Sequence, residues 1–209
     1  MGILNGGLFG AFEKRTGPLV GRVVRKRNVI SVVQHKSLLP RVQLQLEQQM
    51  KFRLLSVFLA ALKELIAVGF RSATKQSPLN AAFRFNFQSV ILGVYPSYTI
   101  DFARVLCSRG KLDGPRAAMV IWAPDEAGLI FSWLPDVQNR FNQHTDWVCF
   151  AVYCVANGLT ATSLYAVRRA DLSYSMALPP DFAGQQLHCY VCFASASGHE
   201  VSNSVYLNV

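Results

Sequence analysis

The sequence predicts an α+β chain in which a Gly-rich extended N-terminal arm and a long helix precede a C-terminal antiparallel β-sandwich of immunoglobulin or fibronectin type. Three observations carry this expectation. Glycines alternate with short apolar pairs over residues 2–36, and apolar residues recur at helical spacing over 40–70. From Arg116 onward, seven short strand-like runs are separated by turn signals. The implied organisation is an arm at 1–39, a helical and mixed segment at 40–114, and a sandwich at 115–209.

The arm begins with Gly6-Gly7-Leu8-Phe9-Gly10 and continues through Phe12 to Gly17-Pro18-Leu19-Val20-Gly21. It then runs into Arg22-Val23-Val24-Arg25-Lys26-Arg27 and the β-branched stretch to Val33. Glycine-hinged extended segments of this kind have too little side-chain area to stand alone and need a partner surface. The helix expected over 40–70 starts at Pro40 and places Leu44, Met50, Leu54, Leu55, Phe58, Leu62, Leu65 and Ile66 on one broad face, with Gly69 to end it. Its first turns are polar and its later ones apolar nearly all round, which predicts an exposed start and a buried finish. Ser77-Pro78 opens a shorter helix reaching about Leu92, Tyr95-Pro96-Ser97-Tyr98 is a turn, and 99–106 alternates like a strand. The seven later runs are 116–123, 128–134, 146–155, 160–167, 172–178, 187–196 and 200–207, with Trp122, Trp133 and Trp147 as large core groups.

Composition narrows the function classes. The chain has 209 residues, 51% apolar and 16% charged, so it can bury a sizeable core and is too apolar for a disordered chain. The net charge of +9 is uneven: residues 1–75 hold 13 Lys/Arg against 3 Asp/Glu, and the remainder hold 8 against 9. The opening has no basic region followed by a long apolar run, so it does not read as a secretory signal, and localisation is left open. Phe52–Phe70 is long enough for a bilayer but contains Arg53, Lys63 and Glu64; central charges cost about 2.5–3.5 kcal/mol each, so no membrane span is expected.

The chemistry-bearing residues give no reaction. The cysteines Cys107, Cys149, Cys154, Cys189 and Cys192 sit in apolar runs and read as buried thiols. Cys189 and Cys192 lie three apart in a strand, on opposite faces, so with His188 and His199 they do not make a zinc site. His188 beside Cys189 faces the other way and reads as a half-exposed strand residue, and His144 lies in a polar loop. Carboxylates are few and scattered, and no dinucleotide, phosphate-loop, zinc-protease or serine-elbow motif is present. The chain is expected to be no enzyme, with no catalytic residue, metal or cofactor assigned.

What remains is an interaction arm: Gly6, Gly7, Gly10, Phe12, Gly17, Val20, Gly21, Arg22, Arg25, Lys26 and Arg27. The first expectation is a structural, self-assembling protein whose arm pairs with its own or a neighbouring subunit by strand addition, as in a filament, surface assembly or phage-tail-like particle. The alternative is a nucleic-acid or anionic-surface binding module using the same basic arm, although aromatic platforms are missing between residues 13 and 51. A third is a carbohydrate-binding sandwich using Phe141 or Tyr165.

Several blocks carry a family resemblance. They are Gly2-Ile-Leu-Asn5-Gly-Gly-Leu-x-Gly10-x-Phe12, Lys14-Arg15-x-Gly17-Pro-x-Val20-Gly21, Tyr98-Thr-Ile-Asp-Phe-Ala-Arg-Val-Leu-x-Ser-Arg-Gly110, Leu178-Pro-Pro-Asp-Phe-Ala-Gly184 and Ser195 to Leu207. Together they resemble an uncharacterised family of about 200-residue proteins from Bacteroidota, whose opening usually lacks the residue that Thr16 inserts here. The resemblance supports the fold and implies no mechanism.

Overall fold

The computed structural model describes residues 3–5, 10–24, 26–34, 40–72, 76–124 and 127–209. They divide into two compact units, Met1–Val42 and Gln43–Val209.

The first unit is a four-stranded antiparallel sheet in chain order, β1 (Ile3–Asn5), β2 (Ala11–Thr16), β3 (Leu19–Val24) and β4 (Arg27–Val32). The extended arm expected here is corrected accordingly: the segment folds back on itself three times. Gly17, at φ 56°, makes the turn into β3 with Pro18, and Lys26, at φ 63°, sits in the tight connection from β3 to β4.

The second unit has three layers. The helices α1 (Gln43–Ala61), α2 (Lys63–Gly69) and α3 (Pro78–Asn86) form one outer layer, followed by the hairpin β5 (Ile91–Val94) and β6 (Ser97–Ile100). The middle layer is a four-stranded antiparallel sheet ordered β10 (Thr160–Arg168), β9 (Trp147–Cys154), β12 (Leu187–Ala194), β13 (Val205–Asn208). The other outer layer is a three-stranded sheet ordered β11 (Ser173–Ala177), β8 (Gly128–Leu134), β7 (Arg116–Trp122). Every residue of β12 is buried, and β9 is buried apart from its half-buried Trp147 and Tyr153. Cys149, Ala151, Tyr190 and Cys192 pack toward the helices with Leu55, Phe58, Leu62 and Ile66. Val148, Phe150, Val191 and Phe193 pack toward Leu129, Phe131, Trp133 and Met176 of the three-stranded sheet.

This architecture overturns the expected fold class. Among the described residues, strand accounts for 42% and helix for 23%, in four antiparallel sheets with three α-helices. The long helix over 40–70 is in two pieces, α1 and α2, divided at Leu62. In place of a sandwich standing behind a helix and an arm, the four-stranded sheet has one face against the helices and the other against the second sheet. The sequence signal for this was present, because β9 and β12 are apolar at odd and even positions alike, the pattern of strands covered on both faces.

Local chemistry explains the joints. Ser77 caps α3, its Oγ accepting from the Asn80 N–H at 3.2 Å, with Pro78 as the first helical residue. The buried Asn86 donates to the Ala82 and Leu106 carbonyls at 2.8 and 2.9 Å and accepts from the Leu106 N–H at 2.8 Å, tying the helical layer to the segment that follows. Gly69 closes α2 against the Cys107 carbonyl and Ser108, where a Cβ would collide. The strand expected over 99–106 is shorter, β6 giving way to a single 3₁₀ turn at Phe102–Arg104, and the last strand is Val205–Asn208. Among the described residues no helix is long and apolar enough to cross a membrane.

Candidate functional site: the N-terminal sheet

Register assigns the faces of the first unit. β3 and β4 pair Leu19 with Val32, Gly21 with Ile30 and Val23 with Asn28, and directly opposed residues share a face. The intervening pairs, Val20 with Ser31, Arg22 with Val29 and Val24 with Arg27, lie on the other. Arg15 on β2 is opposite Val20 and joins this second face. A Cβ on Gly21 would collide with the Phe12 carbonyl and ring, so Phe12 lies over Gly21 on the first face. Lys14, at φ 68°, is the irregularity in β2 next to that contact.

The result is a one-layer sheet with two unlike sides. One presents Phe12, Leu19, Val23, Ile30 and Val32, of which the last four are 41–63% exposed. The other presents Arg15, Arg22 and Arg27 together with Val20, Val29 and Val24, the last 44% exposed. The Arg15 Nε–H donates to the Gly17 carbonyl at 3.0 Å, and no carboxylate among the described residues pairs with Lys14, Arg15, Arg22, Lys26 or Arg27. By sequence, residues 1–42 hold eight Lys/Arg against Glu13 alone, a formal +7.

Of the arm residues read from sequence, Phe12, Gly17, Val20, Gly21, Arg22, Lys26 and Arg27 are brought into this sheet, and Gly10 stands immediately before β2. Gly6, Gly7 and Arg25 lie outside the described residues. Leu19, Val23, Ile30 and Val32, the exposed apolar groups on the first face of the β3–β4 hairpin, are not among those arm residues; the two-residue spacing of Ile30 and Val32 is the signal that marks their face.

Three other features of the second unit bear on chemistry. An apolar groove of about 620 Å³ is lined by Met50, Leu54, Val57, Phe58, Tyr98 and Phe102 among others, with Arg53 as the charged lining group. A small recess of about 190 Å³ is lined by Asp136, His144 and Arg169. His188 is 4% exposed, correcting the half-exposed position expected: its Nδ1 is 2.7 Å from the Tyr206 hydroxyl and its ring stacks on Phe102 at 3.9 Å. Burial lowers its pKa from the usual 6.5, so it is held neutral. The five cysteines are all buried and unbridged. Among the described residues, no group of three or more His, Cys, Asp or Glu is placed to hold a metal ion.

The arrangement defines a β-rich protein with a basic four-stranded N-terminal sheet and a three-layer body. The chain belongs to the family of unknown function DUF6266, whose model matches residues 11–208. No curated protein and no solved structure matches it.

Proposed function

We propose that this protein is a non-enzymatic structural protein that self-associates through its N-terminal sheet. The observation that supports the reading is the one-layer sheet itself. A sheet buries its apolar side only against a second layer, and here Leu19, Val23, Ile30 and Val32 remain exposed on one side. Four short strands with an uncovered apolar face are marginal alone, so contact with another surface supplies the stability that the unit lacks. Repeated contacts of this kind build filaments, surface assemblies or phage-tail-like particles. The narrower expectations, relatives drawn from Bacteroidota and a shared Gly-rich opening, belong to the same proposal.

Sedimentation velocity of the full chain over a concentration series tests it. Species heavier than one chain are expected to grow with concentration and to vanish in Ile30→Ser/Val32→Ser. A wild-type chain that stays at the mass of one chain at every concentration overturns the reading.

The basic side of the sheet favours a second reading, a module that binds nucleic acid or another anionic surface through Arg15, Arg22 and Arg27. Its signature is binding that weakens steeply with salt and is lost in Arg22→Ala/Arg27→Ala. Absence of binding to both duplex and single strands at low salt removes it.

A further inference from the structure

The self-association proposed above needs a receiving surface, and the three-stranded sheet of the second unit has the properties of one. Its inner side chains, Leu129, Phe131, Trp133 and Met176, fill the core between the sheets. Alternation therefore turns Met119, Ile121, Ile130, Ser132, Leu134, Ser173 and Ser175 outward. Met119, Ile121 and Leu134 are 62%, 61% and 51% exposed, and Ile121 pairs with Ile130, which pairs in turn with Ser175. Among the described residues, the only charged one on this side is Arg116, opposite Leu134 at one end. An outer sheet face facing water ordinarily carries charged and polar residues at these positions. This one is the uncovered counterpart of the apolar side of the N-terminal sheet.

Charge supports the same pairing. Segments 116–136 and 170–182 carry Arg116 against Asp125, Glu126, Asp136, Asp171 and Asp181, a formal −4, whereas residues 1–42 carry +7. Asp136 follows β8, and Asp171 and Asp181 bracket β11, so acidic groups stand at the ends of the receiving strands. Lys14, beside the apolar side of the N-terminal sheet, and Lys26, in its turn, are placed to meet them. Opposite net charges steer two surfaces together, and like charges would oppose an arm-to-arm pairing of two +7 sheets.

Size makes the charge necessary. Three strands about 4.8 Å apart and seven residues of about 3.3 Å give a flat footprint of roughly 330 Å², well short of the ~800 Å² per partner of a standard interface. The apolar centre therefore needs a polar rim, which the acidic strand ends provide.

We infer that the apolar side of the N-terminal sheet of one copy docks on the outer face of the β7–β8–β11 sheet of a second copy. The contact is head-to-tail, because the two surfaces differ, and the pair keeps one free donor sheet on one copy and one free receiving face on the other. Rings or open filaments follow.

The test uses two full-length variants, each impaired on one surface. Met119→Lys/Ile121→Lys disables the receiving face at positions exposed enough to accept lysine, and Met119→Ser/Ile121→Ser repeats the experiment should lysine disturb the sheet. Ile30→Ser/Val32→Ser disables the donor side. Each variant alone is expected to sediment as a single chain, and an equimolar mixture as a one-to-one dimer and nothing larger. The wild-type assembly is expected to loosen with added salt. A receiving-face variant that assembles like wild type overturns this inference and leaves self-association standing. A mixture that remains monomeric overturns the head-to-tail contact. A wild-type chain that never associates overturns both.

Discussion

Arg169 and Asp146 form an ion pair of 3.2 Å between side chains that are 7% and 2% exposed. Both partners are further engaged: the Arg169 Nη2–H donates to the Asp113 carbonyl at 2.8 Å, and the Asp146 carboxylate accepts from the Gln143 N–H at 3.0 Å. The guanidinium lies 3.9 Å from the centre of the Phe193 ring, and the Arg169 carbonyl accepts from the Trp133 indole N–H at 2.8 Å. This cluster ties the loop before β9 and the turn after β10 to the core between the two sheets. Desolvation pulls the Arg169 pKa down and the nearby Asp146 carboxylate opposes that shift.

Removing one partner therefore strands a buried charge. Asp146→Leu is expected to destabilise the body by about 3–5 kcal/mol in urea unfolding followed by tryptophan fluorescence. The pair Asp146→Leu/Arg169→Met is expected to recover much of that loss, since the stranded charge is gone. A double variant no more stable than Asp146→Leu alone contradicts this account.

His188 makes stability depend on pH with a definite sign. Its folded pKa lies below the unfolded value of 6.5 because burial disfavours the cation. Between those two values the unfolded chain binds more protons, so the His188 contribution is complete above pH 6.5 and is lost as the pH falls through the window beneath it. The urea midpoint of the wild type is expected to fall below that pH, and His188→Gln to lack this component. Parallel curves for the two proteins would exclude it.

The thiols are expected to be silent in the native state. All five are buried, and desolvation pushes Cys107 and Cys189 up, the latter to about 12. Burial shuts reagent out even from Cys149, whose contact with Cys192 pulls its pKa down, so a chromogenic aromatic disulfide at neutral pH is expected to label none of them in folded protein and all five in denaturant. Labelling of the folded chain at the rate of a free thiol would show that the middle layer opens readily.

Gly21 is the position where the N-terminal sheet has no room. Gly21→Ala drives a methyl into the Phe12 carbonyl and ring and is expected to cost about 1–3 kcal/mol, read as faster amide exchange over 11–32 with exchange in β9 and β12 unchanged. Gly17 has open space around it and needs glycine only for its φ of 56°, so Gly17→Asn, which tolerates that conformation, is expected to be mild. Equal effects at both sites would refute the distinction.

Legibility in the sequence followed the strength of local pattern. The runs 116–123, 128–134, 160–167 and 187–196 reappear as β7, β8, β10 and β12 within a few residues, because alternation and turn residues act locally. The division of the 40–70 helix at Leu62 carries no such signal: Ala60, Ala61, Leu62 and Lys63 are all good helix formers. The glycines of the N-terminal segment suggest the hinges of an arm, whereas Gly21 serves a close contact with a residue nine positions earlier. Arg169 and Asp146 are separated by the whole of β9 and β10, and nothing short of the folded register brings them together. The apolar side of the N-terminal sheet is legible in part, since Ile30 and Val32 flank Ser31, but the exposure of Leu19, Val23, Ile30 and Val32 shows only in the fold.

The double covering of β9 and β12 has a consequence for synthesis. β9 is complete at Cys154, yet its central partner β12 ends at Ala194, forty residues later. Until those residues leave the ribosome, β9 offers water an edge and two apolar sides, and the helices that have already emerged have only half a floor to rest on. A nascent chain in that state is prone to capture by neighbours. The body of this protein thus cannot close on β9 until β12 has emerged, and its yield in a cell is expected to rise with chaperones that hold unfinished chains.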